Sequence, residues 1–390
     1  GKEFWGQKQI AAHLDPVPDD RMIVLDLYSE NRPMYWETDS FSKKPFVWCE
    51  LLNFGANTVM NGRMPMVMWQ PFATASQVDT MVGIGATLEG LFTNEIMFDM
   101  VFDHAWSDKP SPIVDWVNHY LVSRYGASNE TMNSGWATLM GTAFNYPVVF
   151  LPKARLILRP NLSPPEAFYD HCLYIDGWEN ILKGGEAFAN ISTYRFDLID
   201  ITRQGLSNLF DGWFFEFVYH YKDRDACTLQ NYRERMLGLL ADMDDLLATH
   251  ERFMLGRWMH DAERWAANKA EIDNLRTNAR YINTLWTPAG IVGDYAAKQW
   301  SGMVKDFYLP RWEIFFDQVL QDLQQKKDVD QAVVNQRVDE SDRKWVDNHK
   351  HYPNVPTGDT YTIAKRIWDK YGEAARASCD HYEPKLPQNQ

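Results

Sequence analysis

Three apolar runs in the first quarter of the chain have the character of strands. Met22–Tyr28, Phe46–Leu52 and Thr80–Gly85 are rich in β-branched, aromatic and aliphatic residues. They run nearly unbroken rather than alternating with polar residues, as strands covered on both faces of a parallel sheet do. A polar or glycine-containing loop comes after each. Three parallel strands can neither close a barrel nor cover their own edges, so the sheet is expected to continue in polypeptide upstream of Gly1. From about Ile113 onward the periodicity becomes helical. Met236, Leu239, Leu240, Met243, Leu246 and Leu247 recur at spacings of three and four, with Arg235, Asp242 and Asp245 between them, which makes one apolar helix face. Similar patterns run through 196–221, 253–267, 295–323 and 333–349, and Pro160, Pro164 and Pro165 mark a loop. The pattern predicts an α/β plus all-α chain. Residues 1–112 are expected to be the closing part of a β/α barrel and those from 113 onward a helical domain.

Composition narrows the classes of partner. Hydrophobic residues make up 45% of the 390 and aromatics 14%, including 16 Trp, which places the chain among folded proteins and supplies flat side chains of the kind sugars stack on. The net charge of −14 and the lack of a long basic run argue against nucleic acid as a partner. No apolar stretch approaches the roughly 18 residues of a membrane span. The chain opens Gly1-Lys2-Glu3 without an initiator Met, so it is expected to be a processed product or part of a longer polypeptide. Cys49, Cys172, Cys227 and Cys379 are far apart and suggest neither a zinc site nor a dense disulfide framework. Asn129, Asn161 and Asn190 head Asn-X-Ser/Thr triplets that would accept glycans in a secretory protein.

In a β/α barrel the chemistry gathers at the C-terminal ends of strands, where loops vary on a rigid frame. Two segments end strands with candidate residues. Gly83-Ile-Gly-Ala-Thr-Leu-Glu89-Gly90 offers a carboxylate beside a glycine, and Trp48-Cys-Glu50-Leu-Leu-Asn53-Phe54-Gly-Ala-Asn57 carries Glu50 within the strand and Asn53 and Phe54 beyond it. Glycoside hydrolysis needs two carboxyl groups flanking the bond, and Glu89 is placed to be one of them. Judged by position alone, a Glu at a strand end is more often exposed or salt-bridged. Glu95 reads as a supporting partner or a helix N-terminal charge, and Glu50 as a residue facing the barrel or a salt bridge. The ten histidines show no H-E-x-x-H spacing and no Ser sits in a G-x-S-x-G elbow, which leaves metalloprotease and esterase readings without support. No phosphate loop, metal site or organic cofactor is suggested.

Taken in order, a series of segments resembles one family. The series comprises Phe4-Trp-Gly6, Val24-Leu-Asp-Leu27, Pro45-Phe-Val-Trp-Cys49, Asn53-Phe-Gly55, Glu89-Gly90 with Asn94-Glu95, and Arg124-Tyr-Gly126. It continues with Arg195-Phe-Asp-Leu198, Phe253-Met-Leu-Gly256, Asn278-Ala-Arg-Tyr281, Thr284-Leu-Trp-Thr-Pro288, Asp294-Tyr-Ala296, Tyr308-Leu-Pro-Arg-Trp312 and Gly358-Asp-Thr360. In order and spacing these are similar to the α-N-acetylglucosaminidases of glycoside hydrolase family 89, which include the animal lysosomal enzyme of heparan sulfate breakdown. The resemblance implies a (β/α)8 barrel, of which residues 1–112 would be the C-terminal part, followed by an all-helical domain over 113–376 folded back over the barrel mouth, with 377–390 a tail unlike the family. It places Glu89 where the family has its catalytic nucleophile and the acid/base Glu upstream of Gly1. It further implies a sugar pocket of Leu27, Leu51, Phe54, Trp286, Val292 and Tyr295, with Asn94 and Glu95 behind the nucleophile. The family's L-H-N-F-G-G-N reads Leu51-Leu-Asn-Phe-Gly-Ala-Asn57 here, its A-P-E-G reads Thr87-Leu-Glu-Gly90, and a pocket histidine expected near Leu151 is absent.

The expectation is therefore a retaining exo-α-N-acetylglucosaminidase acting on glycans such as heparan sulfate, lysosomal or secreted. It would be completed by an N-terminal portion of the same enzyme as a companion chain, and a homo-oligomer is compatible with the sequence. The alternative is a non-catalytic glycan-binding or scaffold paralogue.

Overall fold

β1 (Val24–Asp26), β2 (Phe46–Glu50) and β3 (Met81–Ala86) form a parallel sheet in that order in the computed structural model, which describes residues 4–145, 153–286 and 292–379. Val24 pairs with Phe46 and Trp48 with Ile84, so all three strands lie within the expected apolar runs. Phe46 and Trp48 on the central strand are fully buried. Parallel neighbours need a crossover, and the helix Met64–Gln77 provides one between β2 and β3, burying Met64, Val67 and Met68. After β3 the helix Glu95–His104 buries Ile96, Met97, Met100 and Val101 at helical spacing. At the edges of the sheet, Leu25 and Val82 remain exposed.

The chain turns sharply where β1 ends because one carboxylate gathers its donors. Asp26 accepts the Met34 N–H at 3.0 Å and the Tyr35 N–H at 3.2 Å, which folds the intervening loop back on the strand. That loop carries Glu30 to the end of β2, where Glu30 accepts the Leu51 N–H at 3.3 Å. Glu50 lies beside it, fully buried, with neither carboxyl oxygen hydrogen-bonded among the described residues. Among the described residues Glu50 makes no salt bridge. Burial pushes its carboxyl up to about 8, and burial followed by the charge of Glu50 raises Glu30 as well, so both carboxyls keep their protons above the usual carboxylate range.

Residues beyond 112 are helical, with caps that explain where the helices begin. Asn129, Asp170, Asp225, Asn268 and Asp330 each accept backbone N–H groups from the first turn of the adjoining helix, and Gly126 ends the helix Ile113–Tyr125 in a left-handed conformation. The 31-residue helix Ser192–Lys222 is buried on every side along most of its length and is the axis of the domain. The helix Ala226–Leu247 folds back along it, and its Met236, Leu239, Leu240, Met243, Leu246 and Leu247 are all fully buried, as the periodicity predicts. The expected helix over 295–323 starts later. Regular structure begins at Val304 with a π-helical turn that leads into Leu309–Gln324. The residues ahead of it run irregularly because their backbone is hydrogen-bonded to a barrel loop. The last helix, Thr360–Cys379, continues past 376, and Cys379 is bonded to Cys172 on the helix His171–Gly184. Among the described residues no helix is long and apolar enough to cross a membrane, and no group of three or more His, Cys, Asp or Glu could hold a metal ion.

The disulfide and the buried carboxyl pair each have a measurable consequence. The disulfide closes a sequence separation of 207 residues, for which the chain-entropy argument sets a ceiling of about 5 kcal/mol. Non-reducing peptide mapping should show Cys172 linked to Cys379, and the C172S/C379S variant should melt several degrees lower; equal melting temperatures would remove the disulfide from the stability of the domain. Glu50 makes stability depend on pH. Below its ordinary value of 4.5 both the folded and the unfolded chain hold the proton, whereas between there and about 8 only the folded chain does, so this group's contribution falls as pH rises through that window. Urea midpoints should decline from pH 5 to pH 8 less steeply in Glu50→Gln than in the parent, and parallel curves would contradict the buried pair.

Candidate active site

Glu89 stands three residues beyond β3 and is exposed at the mouth of the sheet. Its loop is fixed by Asn53, just past the end of β2. The Asn53 side-chain oxygen accepts the Glu89 N–H at 3.2 Å, and its amide nitrogen donates to the Gly90 carbonyl at 2.7 Å and to Thr93 Oγ1 at 2.8 Å. A second tie comes from Thr87, whose Oγ1 donates to the Leu27 carbonyl at 2.9 Å and so joins the rims of β1 and β3. Glycine is required at position 90, where a Cβ would lie 1.9 Å from the Cβ of Ala56. The two strand-end loops are thereby packed against each other before any longer-range contact is made.

The carboxylate is held from two sides. Glu89 Oε2 accepts the backbone N–H of Gly55 at 2.6 Å and the hydroxyl of Tyr295 at 2.7 Å. The first donor belongs to the β2 loop and the second to the helical domain. Gly55 has φ of +65°, and a Cβ there would come within 2.3 Å of the Tyr295 carbonyl oxygen, so this residue type permits both the turn and the close approach. Burial and the hydrogen bond to Glu89 push the Tyr295 phenol up to about 12, which keeps it a donor at any working pH. With Oε2 occupied by two donors, Glu89 Oε1 has no hydrogen bond among the described residues.

Below Tyr295 the helical domain grips the barrel loop. Lys298 is buried and its Nζ donates to the Ala56 carbonyl; burial lowers its ammonium to about 7. Thr58 Oγ1 donates to the Ala297 carbonyl at 3.3 Å and accepts the Gln299 N–H at 3.0 Å. From the axial helix, Gln204 accepts the Met60 N–H at 3.0 Å.

The residues expected to form a sugar pocket fall into two groups. Trp286 sets its ring edge-on to Tyr295 with centroids 5.0 Å apart and is half-buried. Phe54 precedes the donor Gly55 and packs edge-on against Tyr28 at 5.3 Å. Leu27 is exposed on the rim tied by Thr87, and Val292 is exposed with its carbonyl accepting the Tyr295 N–H at 3.2 Å. Leu51 and Phe54, at 7% and 8% exposure, are both buried and present little surface. Asn94 and Glu95 make none of the hydrogen bonds to Glu89. Asn94 accepts the Asn61 N–H and donates to the Val59 carbonyl, both at 3.0 Å, which shapes the loop behind the site. Glu95 pairs at 2.6 Å with Arg124, which also holds Asp197 on the axial helix. The position near Leu151, where the resemblance implies a histidine, lies outside the described residues.

Asn53, Gly55, Asp294 and Lys298 complete the arrangement and are not among the expected site residues. Asn53-Phe54-Gly55 and Asp294-Tyr295 carry the only signal, as short polar or glycine-containing segments adjoining expected pocket residues.

Comparison with known proteins gives the arrangement its context. Residues 1–108 match the sequence profile of the alpha-N-acetylglucosaminidase TIM-barrel domain, and residues 116–370 that of the alpha-N-acetylglucosaminidase C-terminal domain. The Homo sapiens alpha-N-acetylglucosaminidase is 33% identical over 376 residues, which are 95% of this chain and 51% of the human protein. A family 89 glycoside hydrolase from Clostridium perfringens, solved in complex with PUGNAc, superposes with a TM-score of 0.85 at 23% identity, covering 94% of this chain and 44% of that one. The enzyme of the same organism solved with GlcNAc-α-1,4-galactose gives 0.83 at 23% identity, covering 90% and 42%. At that identity these structures establish the fold, a barrel portion followed by a helical domain. The chain spans about half the length of the human relative. With both domain profiles matched in order and the larger covering more than half of its residues, the chain belongs to the alpha-N-acetylglucosaminidase family.

Proposed function

We propose that the chain is the C-terminal portion of a retaining exo-α-N-acetylglucosaminidase, with Glu89 as its nucleophile. The observation that carries this reading is the clamp on Glu89 Oε2, built from the Gly55 N–H and the Tyr295 hydroxyl, with Trp286 packed edge-on against Tyr295. A nucleophile needs one oxygen held and the other free, because the attacking lone pair must be aimed while the remaining charge stays solvated by fixed donors. Trp286 offers a flat apolar surface to a pyranose ring and Phe54 a second aromatic position on the same rim. Glu89 Oε1 would attack the anomeric carbon and form a glycosyl ester as the aglycone oxygen departs with a proton. Water would then release the sugar with its starting configuration. The proton donor, and later the base for that water, would be a Glu on polypeptide upstream of Gly1 that completes the barrel. The exposed Leu25 and Val82 at the sheet edges support such a neighbour. The human relative's name and the GlcNAc-α-1,4-galactose bound to the Clostridium perfringens enzyme favour terminal α-linked N-acetylglucosamine as the substrate class, heparan sulfate included. The Cys172–Cys379 disulfide favours a lysosomal or secreted protein.

In the enzyme assembled with its upstream barrel portion, Glu89→Gln should lower turnover of an aryl α-N-acetylglucosaminide by about a thousandfold or more with an unchanged circular dichroism spectrum. Proton NMR of the first-formed sugar should show the α anomer. Unaltered turnover, or a β product, would rule out the nucleophile assignment. Gly55→Ala should cost about a hundredfold in kcat, since its methyl group displaces the Tyr295 backbone and with it one donor to the carboxylate. Full activity in that variant would show that the contact is not needed for the chemistry.

A further inference from the structure

Asp294, immediately before the Tyr295 that holds Glu89, has every polar group engaged. Its backbone sits at φ of +59°, in the left-handed region that few residues other than Gly, Asn and Asp enter. The Asp294 N–H donates to the Thr284 carbonyl at 2.7 Å, and its own carbonyl accepts from Lys153 Nζ at 2.6 Å. Its carboxylate takes both arms of the Arg311 fork, Oδ2 from Nη1 and Oδ1 from Nη2, each at 3.0 Å. Arg311 is fully buried on the helix Leu309–Gln324. Its Nε and Nη2 donate at 2.8 Å to Asp342, which also accepts from Arg159 at 3.1 Å. Trp286, the aromatic neighbour of Tyr295, is likewise pinned, with φ of +65° and its N–H on the Tyr281 carbonyl at 2.6 Å.

We propose that Arg311 is a positioning residue for the reaction: by gripping the Asp294 carboxylate it fixes the backbone that delivers the Tyr295 hydroxyl to Glu89. A planar guanidinium does this where an ammonium cannot, because two parallel hydrogen bonds fix the orientation of the carboxylate as well as its distance. The second carboxylate, Asp342, holds the guanidinium in its plane and ties it to the helix Gln331–Val346. A line of contacts therefore runs from the interior of the helical domain through Arg311, Asp294 and Tyr295 to a carboxylate on the barrel rim. Neither Arg311 nor Asp294 makes a hydrogen bond to Glu89 among the described residues, so any effect they have on it passes through Tyr295. This inference rests on the reading of Glu89 as the nucleophile.

The test is a double-mutant cycle in the assembled enzyme with Asp294→Asn, Arg311→Lys, Tyr295→Phe and the paired variants. It reads kcat and KM on an aryl α-N-acetylglucosaminide together with the melting temperature. Asp294→Asn and Arg311→Lys should each lower kcat by about ten- to a hundredfold while KM moves less than about threefold. In the Tyr295→Phe background either should add less than about twofold, because the link is already cut. A role confined to stability would lower the melting temperature and leave kcat per folded molecule unchanged. That result, or losses that multiply in the paired variants, would overturn the proposal. Removing half of a buried ion pair can prevent folding. If the neutral Asp294→Asn does not fold, Asp294→Glu keeps the charge, lengthens the arm and makes the same comparison. Inactive Glu89→Gln with multiplying losses would sink the Arg311 inference alone, whereas active Glu89→Gln would sink the nucleophile on which it rests.

Discussion

The candidate site depends on one contact, the seating of residues 294–299 of the helical domain on residues 53–58 of the barrel portion. It is made of hydrogen bonds between backbone groups and polar side chains and of close backbone approach: Tyr295 against Gly55, Lys298 on the Ala56 carbonyl, and Thr58 between Ala297 and Gln299. An apolar contact of the same area would attract without fixing register, since hydrophobic burial has no direction. Hydrogen bonds between buried groups do fix it, because a shift by one residue would leave each donor and acceptor unpaired at roughly 1–3 kcal/mol apiece. The barrel loop and the helical domain therefore meet in one register, and that register puts a phenol on a carboxylate.

The buried charges reinforce the same geometry. Arg124 joins Glu95, at the start of a barrel helix, to Asp197 on the axial helix. Arg311 joins Asp294, beside the site, to Asp342 on a later helix. Each set brings a guanidinium together with two carboxylates from separate elements. Such sets add little net stability, because desolvation consumes most of the Coulombic gain, but they penalise any arrangement that leaves one member unpaired. Their effect is to select a single relative placement of the helices around the site. Glu50 and Glu30 solve the same burial problem differently, through proton retention in place of a cation.

The outline of this arrangement is legible in the sequence, and its joints are not. Strands are readable because Phe46 and Trp48 belong to an unbroken apolar run, and the face from Met236 to Leu247 is readable because its period is helical. Glu89 is placed at a strand end by its position after Gly83-Ile84-Gly85, and the family resemblance assigns its role. Asp294 and Arg311 lie within segments that resemble the family, but nothing local gives their pairing or that of Lys298, because their partners lie on other elements and long-range pairing leaves no periodicity. The same holds for Cys172 and Cys379, whose pairing needs the two helices to be neighbours first. The irregular path of residues 295–303 departs from the expected helix for a related reason. Its apolar spacing fits a helix, but its backbone donors and acceptors are taken by the barrel loop and by Asp244, which accepts the Gly302 N–H at 2.7 Å.

The charge balance bears on how such a site would choose its ligand. A net charge of −14 gives no long-range attraction for an acidic polysaccharide, and at physiological salt the field beyond about 8 Å is screened in any case. On the proposed reading, selection would then be local, at the last sugar of a chain. The rim would suit that, since Trp286 and Tyr295 pack edge to face and Tyr295 donates to an exposed carboxylate. Recognition confined to one terminal sugar would tolerate variety in the remainder of the glycan. The loop departures from the family pattern, Leu52 in place of a histidine and Ala56 in place of a glycine, fall on the barrel side of this rim. Ala56 is also the residue whose methyl group abuts Gly90 and whose carbonyl receives Lys298. The added methyl at 56 thus fills space between the two strand-end loops.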